Sequence, residues 1–336
     1  SLKVGDPWAK MFADVNSDAA VDIIVGGRNG PLVWYRNPDW TSFEISPGGY
    51  DTVDGESGDV DGDGDMDVVM GGLYWYENPG GLTDSPNQLW QAHLIANHPT
   101  HDVELADINA DGTLDVITRN QSEFGTKKGN TIHCWMNLGG DRWEEKILNC
   151  DHGEGLRVGD LDGDNDMDIL IANNIMDILF WFENTDGLGN FGPEQWISTE
   201  AASPSSVYAS DLDNDGDMDV LSASTSDNKI AWYENDGLGS FGPQQIITTN
   251  ALGANSVYTA DMDGDGDMDV LSASTSDKKI AWYENDGIGS FGPQQIISLE
   301  AEQPGSVYAC DIDRDGDVDV LSASQADNKI AWYEND

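Results

Sequence analysis

A unit of about fifty residues, repeated seven times, constrains this chain more than any other feature. Three late units are nearly identical: SVYASDLDNDGDMDVLSASTSDNKIAWYENDGLGSFGPQQII, SVYTADMDGDGDMDVLSASTSDKKIAWYENDGIGSFGPQQII and SVYACDIDRDGDVDVLSASQADNKIAWYEND. Aligned on the first aspartate of an acidic loop, the units fall at Asp14, Asp59, Asp107, Asp160, Asp211, Asp261 and Asp311, with spacings of 45, 48, 53, 51, 50 and 50 residues. One such unit cannot bury its own apolar face, so neighbours must stack. Several short strands per unit at this period make the expected fold all-β, a seven-bladed β-propeller spanning residues 1–336 as one domain.

Each unit reads as four strands. In the fifth they are Val207–Ser210, Asp219–Ser224, Lys229–Glu234 and Gln244–Ile247, with the acidic loop between the first two and a Gly-rich turn before the last. Trp34, Trp75, Trp135, Trp181, Trp232, Trp282 and Trp332 share one position and are expected to pack between blades. The seventh unit ends at Asp336 after its third strand, so Ser1–Val4 is expected to supply the missing outer strand. Cys134, Cys150 and Cys310 include no CxxC. A turn at Leu138–Asp141 would set Cys134 opposite Glu145, so free buried thiols are expected rather than a disulfide.

The acidic loops carry the first chemistry. Five read D-x-D-x-D, two read D-x-N-x-D, and each adds an aspartate four residues on. The candidate calcium ligands are Asp14, Asn16, Asp18 and Asp22 in blade one, Asp59, Asp61, Asp63 and Asp67 in blade two, and Asp107, Asn109, Asp111 and Asp115 in blade three. Blade four offers Asp160, Asp162, Asp164 and Asp168; blade five Asp211, Asp213, Asp215 and Asp219; blade six Asp261, Asp263, Asp265 and Asp269; blade seven Asp311, Asp313, Asp315 and Asp319. Alternate acids in a tight loop aim hard oxygens at one centre, and a glycine such as Gly216 allows the sharp turn. Blade four has Asn165 at that position and blade one has Ala19, which makes the first loop the weakest site expected. The ions would be structural, up to seven in number.

These units resemble FG-GAP/VCBS-type repeats, with the FG dipeptide present at Phe191-Gly192, Phe241-Gly242 and Phe291-Gly292. The resemblance implies a propeller with structural calcium and a secreted, periplasmic or cell-surface setting; it implies no single activity. A formal net charge of -48 argues against nucleic acid and anionic membrane as partners. No apolar run approaches the roughly eighteen residues a spanning helix needs.

The loops opposite the acidic ones differ between blades. Blades five to seven carry Ser205-Ser206, Asn255-Ser256 and Gly305-Ser306 before strand one. Blades one to four instead carry Trp8 and Lys10; Asp54 and Glu56; His98, His101, Asp102 and Glu104; and His152, Glu154 and Arg157. Blade three adds an insertion containing Arg119, Phe124 and Lys127, and blade one adds Arg28. All five histidines fall between residues 93 and 152. His93 and His133 sit in strands and are expected to be structural, whereas His98, His101 and His152 occupy loop ends beside carboxylates, where proton transfer or a zinc or manganese site is feasible.

HPTHDVELAD, followed one unit later by DHGEGLRVGD, resembles the propeller part of aldos-2-ulose dehydratases and related sugar lyases. That resemblance implies β-elimination on a carbohydrate. His101 or His152 would be the base, with Arg157, Arg119 and Lys127 holding the enolate charge. Trp8, Lys10, Arg28, Asp54, Glu56, Asp102, Glu104 and Glu154 would contact the sugar. The alternative is a non-catalytic glycan-binding or adhesion propeller using the same cluster, with Trp8 or Phe124 as stacking platform.

Overall fold

In a computed structural model, residues 2–3, 9–26, 30–48, 54–80, 88–97, 100–119, 131–150 and 153–335 are described. They form seven four-stranded antiparallel sheets and no helix: an all-β, seven-bladed β-propeller. Within each of blades one to six the four strands pair in chain order; the seventh sheet is Pro304–Cys310, Asp319–Ser324, Lys329–Tyr333 and, outermost, Leu2–Lys3. By packing, blades one to three and the short segment Ile312–Arg314 make one compact unit, and blades four to seven make the other.

The strands follow from the residue pattern. The second strand of each repeat is a run such as DVLSAS, buried along its whole length at Asp219–Ser224, because it lies inside the sheet and is covered on both faces. The fourth strand alternates or is exposed, as at Gln295–Ser298, because it borders solvent. In blade five the second strand runs as the repeat predicts; the first starts earlier, at Pro204, and the fourth lies at Gln245–Thr248. In blade three, Cys134 faces Lys146 rather than Glu145, since a five-residue connection closes between the paired Asn137 and Trp143. All three cysteines are free, and burial pushes the Cys134 thiol up to about 12.

Trp34, Trp75, Trp181, Trp232 and Trp282 pack against the next blade. Trp135 does not share their position: it pairs with Val116, one residue out of register, and Cys134, opposite Ile117, takes the place of the repeated tryptophan. Trp181 joins a cluster with Val220, Tyr233 and Phe241 of the next blade, and Trp232 joins one with Val257, Val270 and Phe291. The Trp181 and Trp232 rings each abut a glycine of the following turn. A Cβ on Gly239 would overlap the Trp181 ring, and one on Gly289 would overlap Trp232; both glycines also have φ of +74°. Gly239→Ala therefore combines overpacking with a left-handed alanine, and should cost about 2–4 kcal/mol. Chemical denaturation would measure it, and a cost under about 0.5 kcal/mol would contradict this account of the blade contact.

Candidate functional site

In every blade the acidic loop joins the first and second strands, and it is folded by its own carboxylates. In blade two, Asp59 accepts from the N–H groups of Gly62 (2.8 Å) and Gly64 (3.0 Å), Asp61 from Asp63 (3.1 Å) and Asp63 from Asp65 (2.9 Å). The turn position after the third ligand is left-handed throughout: Gly64, Gly112, Gly216, Gly266 and Gly316 serve there, Asn165 takes φ +71° and Ala19 takes φ +66°. Ala19 thus accepts a conformation unfavourable for an L side chain.

Five loops bring three carboxylates within 4.8 Å of one another: Asp59, Asp61 and Asp67; Asp160, Asp162 and Asp168; Asp211, Asp213 and Asp219; Asp261, Asp263 and Asp265; Asp311, Asp313 and Asp315. The two D-x-N-x-D loops, at Asp14 and Asp107, form no such group. Among the described residues these groups contain aspartate alone, so no histidine takes part. Three buried oxygens in them, Oδ1 of Asp162, Asp211 and Asp213, accept no hydrogen bond from the protein. Burying a carboxylate oxygen without a donor is costly, so the loops fit a hard cation ligated by oxygen. Without one, burial and then the neighbouring Asp164 push Asp162 up to about 6.

The last aspartate of each loop has a further task. Asp219 is buried; its Oδ2 accepts from Leu212 N–H (2.9 Å) and its Oδ1 from Asn235 N–H (2.8 Å), tying the loop to the end of strand three. Asp22, Asp67, Asp115, Asp168 and Asp269 make the same two bonds in their own blades. The asparagine after strand three completes the tie. Asn235 Nδ2 donates to Leu161 O of the preceding blade (2.8 Å) and to Met218 O of its own (2.9 Å). Asn78, Asn137 and Asn285 repeat this bridge. Sequence reasoning missed these asparagines, although WYEN or a close variant occurs in six units and the third has the shorter WMN at Trp135–Asn137.

Of the other candidate residues, Trp8, Arg28, His98, Phe124, Lys127 and His152 lie outside the described residues. The rest divide between the two units. In blades one to three, His101 Nδ1 sits 2.8 Å from Asp102 Oδ1, and the His101 backbone N–H donates to Arg119 O (2.9 Å). Asp54 Oδ2 accepts from Val103 N–H (3.1 Å), which links blades two and three. Lys10 occupies the strand position filled by Val207 in blade five. Burial lowers its pKa to about 8, with Asp54 opposing that fall. Glu56 and Glu104 are half-buried on their first strands. Arg119 ends the second strand of blade three at 1% exposure, with Nη2 3.6 Å from Cys150 Sγ, so it lies within the blade rather than on a solvated loop. In blade four, Glu154 is half-buried and Arg157 donates to Leu156 O (2.8 Å).

The strand histidines are held by packing. His93 stacks on Trp75, 4.2 Å between centroids, and places its two ring nitrogens 2.8 Å from Glu77 and 2.8 Å from Asp141. Burial opposes its charge, but those two bonds win and raise its pKa. His133 stacks on Trp135 and lies 2.7 Å from Glu145. In blades five to seven the equivalents of Arg157 and Glu104 are Tyr208, Tyr258 and Tyr308, whose rings follow one another at 5.0 and 4.8 Å.

The fold and its loops define a β-propeller whose blades each carry an aspartate-rich turn. The chain belongs to the FG-GAP-like repeat family, whose pattern matches residues 14–70, 160–222, 211–272 and 261–322. No curated protein sequence matches it. Among solved structures it is similar to a lectin of Agrocybe aegerita that recognises non-reducing terminal N-acetylglucosamine, with TM-score 0.61 and 20% identity, over 87% of this chain and 80% of that one. It is also similar to BBS1N in complex with ARL6DN, with TM-score 0.68 and 11% identity, over 100% of this chain and 94% of that one. At such identities the likeness is one of fold. No helix among the described residues is long and apolar enough to cross a membrane.

Proposed function

We propose that this chain is a calcium-stabilised, non-catalytic propeller that binds carbohydrate through the polar ends of strand one in blades one to three. The observation that carries this reading is the difference between blades. Lys10, Asp54, His101 and Asp102 place charged and hydrogen-bonding groups where blades five to seven have valine, serine and other small neutral residues. Sugar hydroxyls are recognised by such partly buried carboxylates and donors. The lectin of similar fold, which recognises terminal N-acetylglucosamine, supports the ligand class. Aspartate loops of this kind fill where calcium is abundant, which favours a secreted, periplasmic or cell-surface setting.

The test is a glycan array that includes terminal N-acetylglucosamine and acidic sugars, probed in calcium with the wild type and His101→Ala. Binding by the wild type, weakened at least about tenfold in the variant at unchanged melting temperature, is the expected result. Absence of binding to every glycan would overturn the reading; equal binding by both proteins would remove the site from blade three.

A second reading, β-elimination on a sugar, is favoured by the 2.8 Å His101–Asp102 contact, which orients an imidazole as a base does in proton abstraction. In it, His101 removes the proton α to a carbonyl. Lys10 would hold the enolate charge, the Cβ–O bond would break as the double bond forms, and the oxygen leaving group would depart with a proton as water or an alcohol. His98, His101 and His152 would be the residues to hold zinc or manganese, which would supply Lewis-acid stabilisation of the enolate. Absorbance from a new double bond conjugated with the carbonyl would report it, and a flat trace across the glycans that bind would exclude it.

A further inference from the structure

We infer that the first acidic loop takes no divalent ion, because the guanidinium of Arg314 stands in the ion's place; this rests on the reading that the other loops bind calcium. Arg314 belongs to the seventh acidic loop, yet the segment Ile312–Arg314 packs with blades one to three. Its Nη2 donates to both Asp18 Oδ1 and Asp18 O, at 2.9 Å each. A side-chain carboxylate and a backbone carbonyl are the two kinds of oxygen a calcium loop offers its ion.

The rest of the loop is closed in the same way. Asp14 accepts from Asp18 N–H (2.9 Å) on Oδ1 and from Ala19 N–H (2.6 Å) on Oδ2. Asp18 accepts from Ala20 N–H (2.8 Å) on Oδ1 and from the Asn16 side-chain amide (3.1 Å) on Oδ2. Asp22 accepts from Asn37 N–H (2.8 Å) and Val15 N–H (3.1 Å). Every carboxylate oxygen of Asp14, Asp18 and Asp22 therefore has a donor, whereas blade five leaves Oδ1 of Asp211 and of Asp213 buried without one. Loop one also has a neutral amide, Asn16, where the five grouped loops have their second aspartate. A dication on Asp18 would sit beside a fixed positive charge, and the two would repel.

The equivalent loop position is Gly62, Gly163 or Gly264 in three other blades, with φ of +80°, +75° and +76°. Arg314 adopts φ +66°, so the arginine is held in a conformation that glycine fills without strain. Arg314→Gly thus removes the guanidinium while easing the backbone, and the variant is expected to fold.

The experiment is calcium per chain, by elemental analysis of wild type and Arg314→Gly after equilibration in calcium and removal of free ion. The variant should carry about one more ion per chain than the wild type. Equal, non-zero contents would overturn the inference while leaving the calcium reading intact. No calcium in either protein would overturn both.

Discussion

Stripping divalent ions should lower the melting temperature of this protein by roughly 10–20 °C, and calcium should restore it better than magnesium. An ion at a hundred times its dissociation constant stabilises by about 2.7 kcal/mol per site. Five loops gather three carboxylates each, so the total is on the order of 13 kcal/mol. For a chain of 336 residues that converts to a shift of this size, at roughly 2.1 cal/mol/K of unfolding entropy per residue. Magnesium should restore less, because it demands tighter octahedral geometry and keeps its water. A melt unchanged by EDTA, in protein shown by elemental analysis to be metal-free, would sink the structural role of the ions.

The stripped protein should also respond to pH in the opposite sense from the loaded one. In the ion-free fold, burial pushes Asp67, Asp168 and Asp219 from 3.8 up to about 7. A folded pKa above the unfolded value means that the folded state holds more protons. The stabilisation from these groups is complete below the unfolded value and is lost as pH rises through about 7. Stripped protein should therefore gain stability from about pH 8 down to about pH 5. Calcium-loaded protein should lose stability over the same interval, since protons compete with the ion for the carboxylates.

What the sequence makes legible here is what repeats. Seven copies of an aspartate loop and a buried strand, six of them with a tryptophan in register, leave little choice but a propeller, and the second strand at Asp219–Ser224 was readable to the residue. The tie made by the last aspartate and the WYEN asparagine was equally repeated, yet acids in such a loop suggest ligands first. Only in the folded chain are both oxygens of Asp219 seen to be occupied by backbone N–H groups. The candidate site is harder for the opposite reason. It consists of departures from the repeat, so no second copy checks each residue. Arg119 looked like a loop cation and is buried at the end of a strand, because the insertion begins one residue later than a charge pattern suggests. Nothing in the repeat marks Arg314, because its partner Asp18 is 296 residues away in the chain.

The dual use of the loop aspartates leads to the second large effect. Asp219→Ala should destabilise the protein by roughly 2–6 kcal/mol, because two buried backbone N–H groups, of Leu212 and Asn235, lose their acceptor at about 1–3 kcal/mol each. Asp215→Ala removes a carboxylate from an exposed position in the same loop, whose Oδ1 accepts only the exposed N–H of Asp217 (3.0 Å). Water can replace that acceptor, so the cost of Asp215→Ala should be the lost ion alone, about 2.7 kcal/mol in ample calcium and near zero in EDTA. The two variants therefore separate the roles. Melts of both, with and without EDTA, should show the Asp215→Ala deficit vanish when metal is removed, and most of the Asp219→Ala deficit persist. If the Asp219→Ala deficit vanished as well, Asp219 would be a ligand only, and the backbone tie would contribute little to holding the blades.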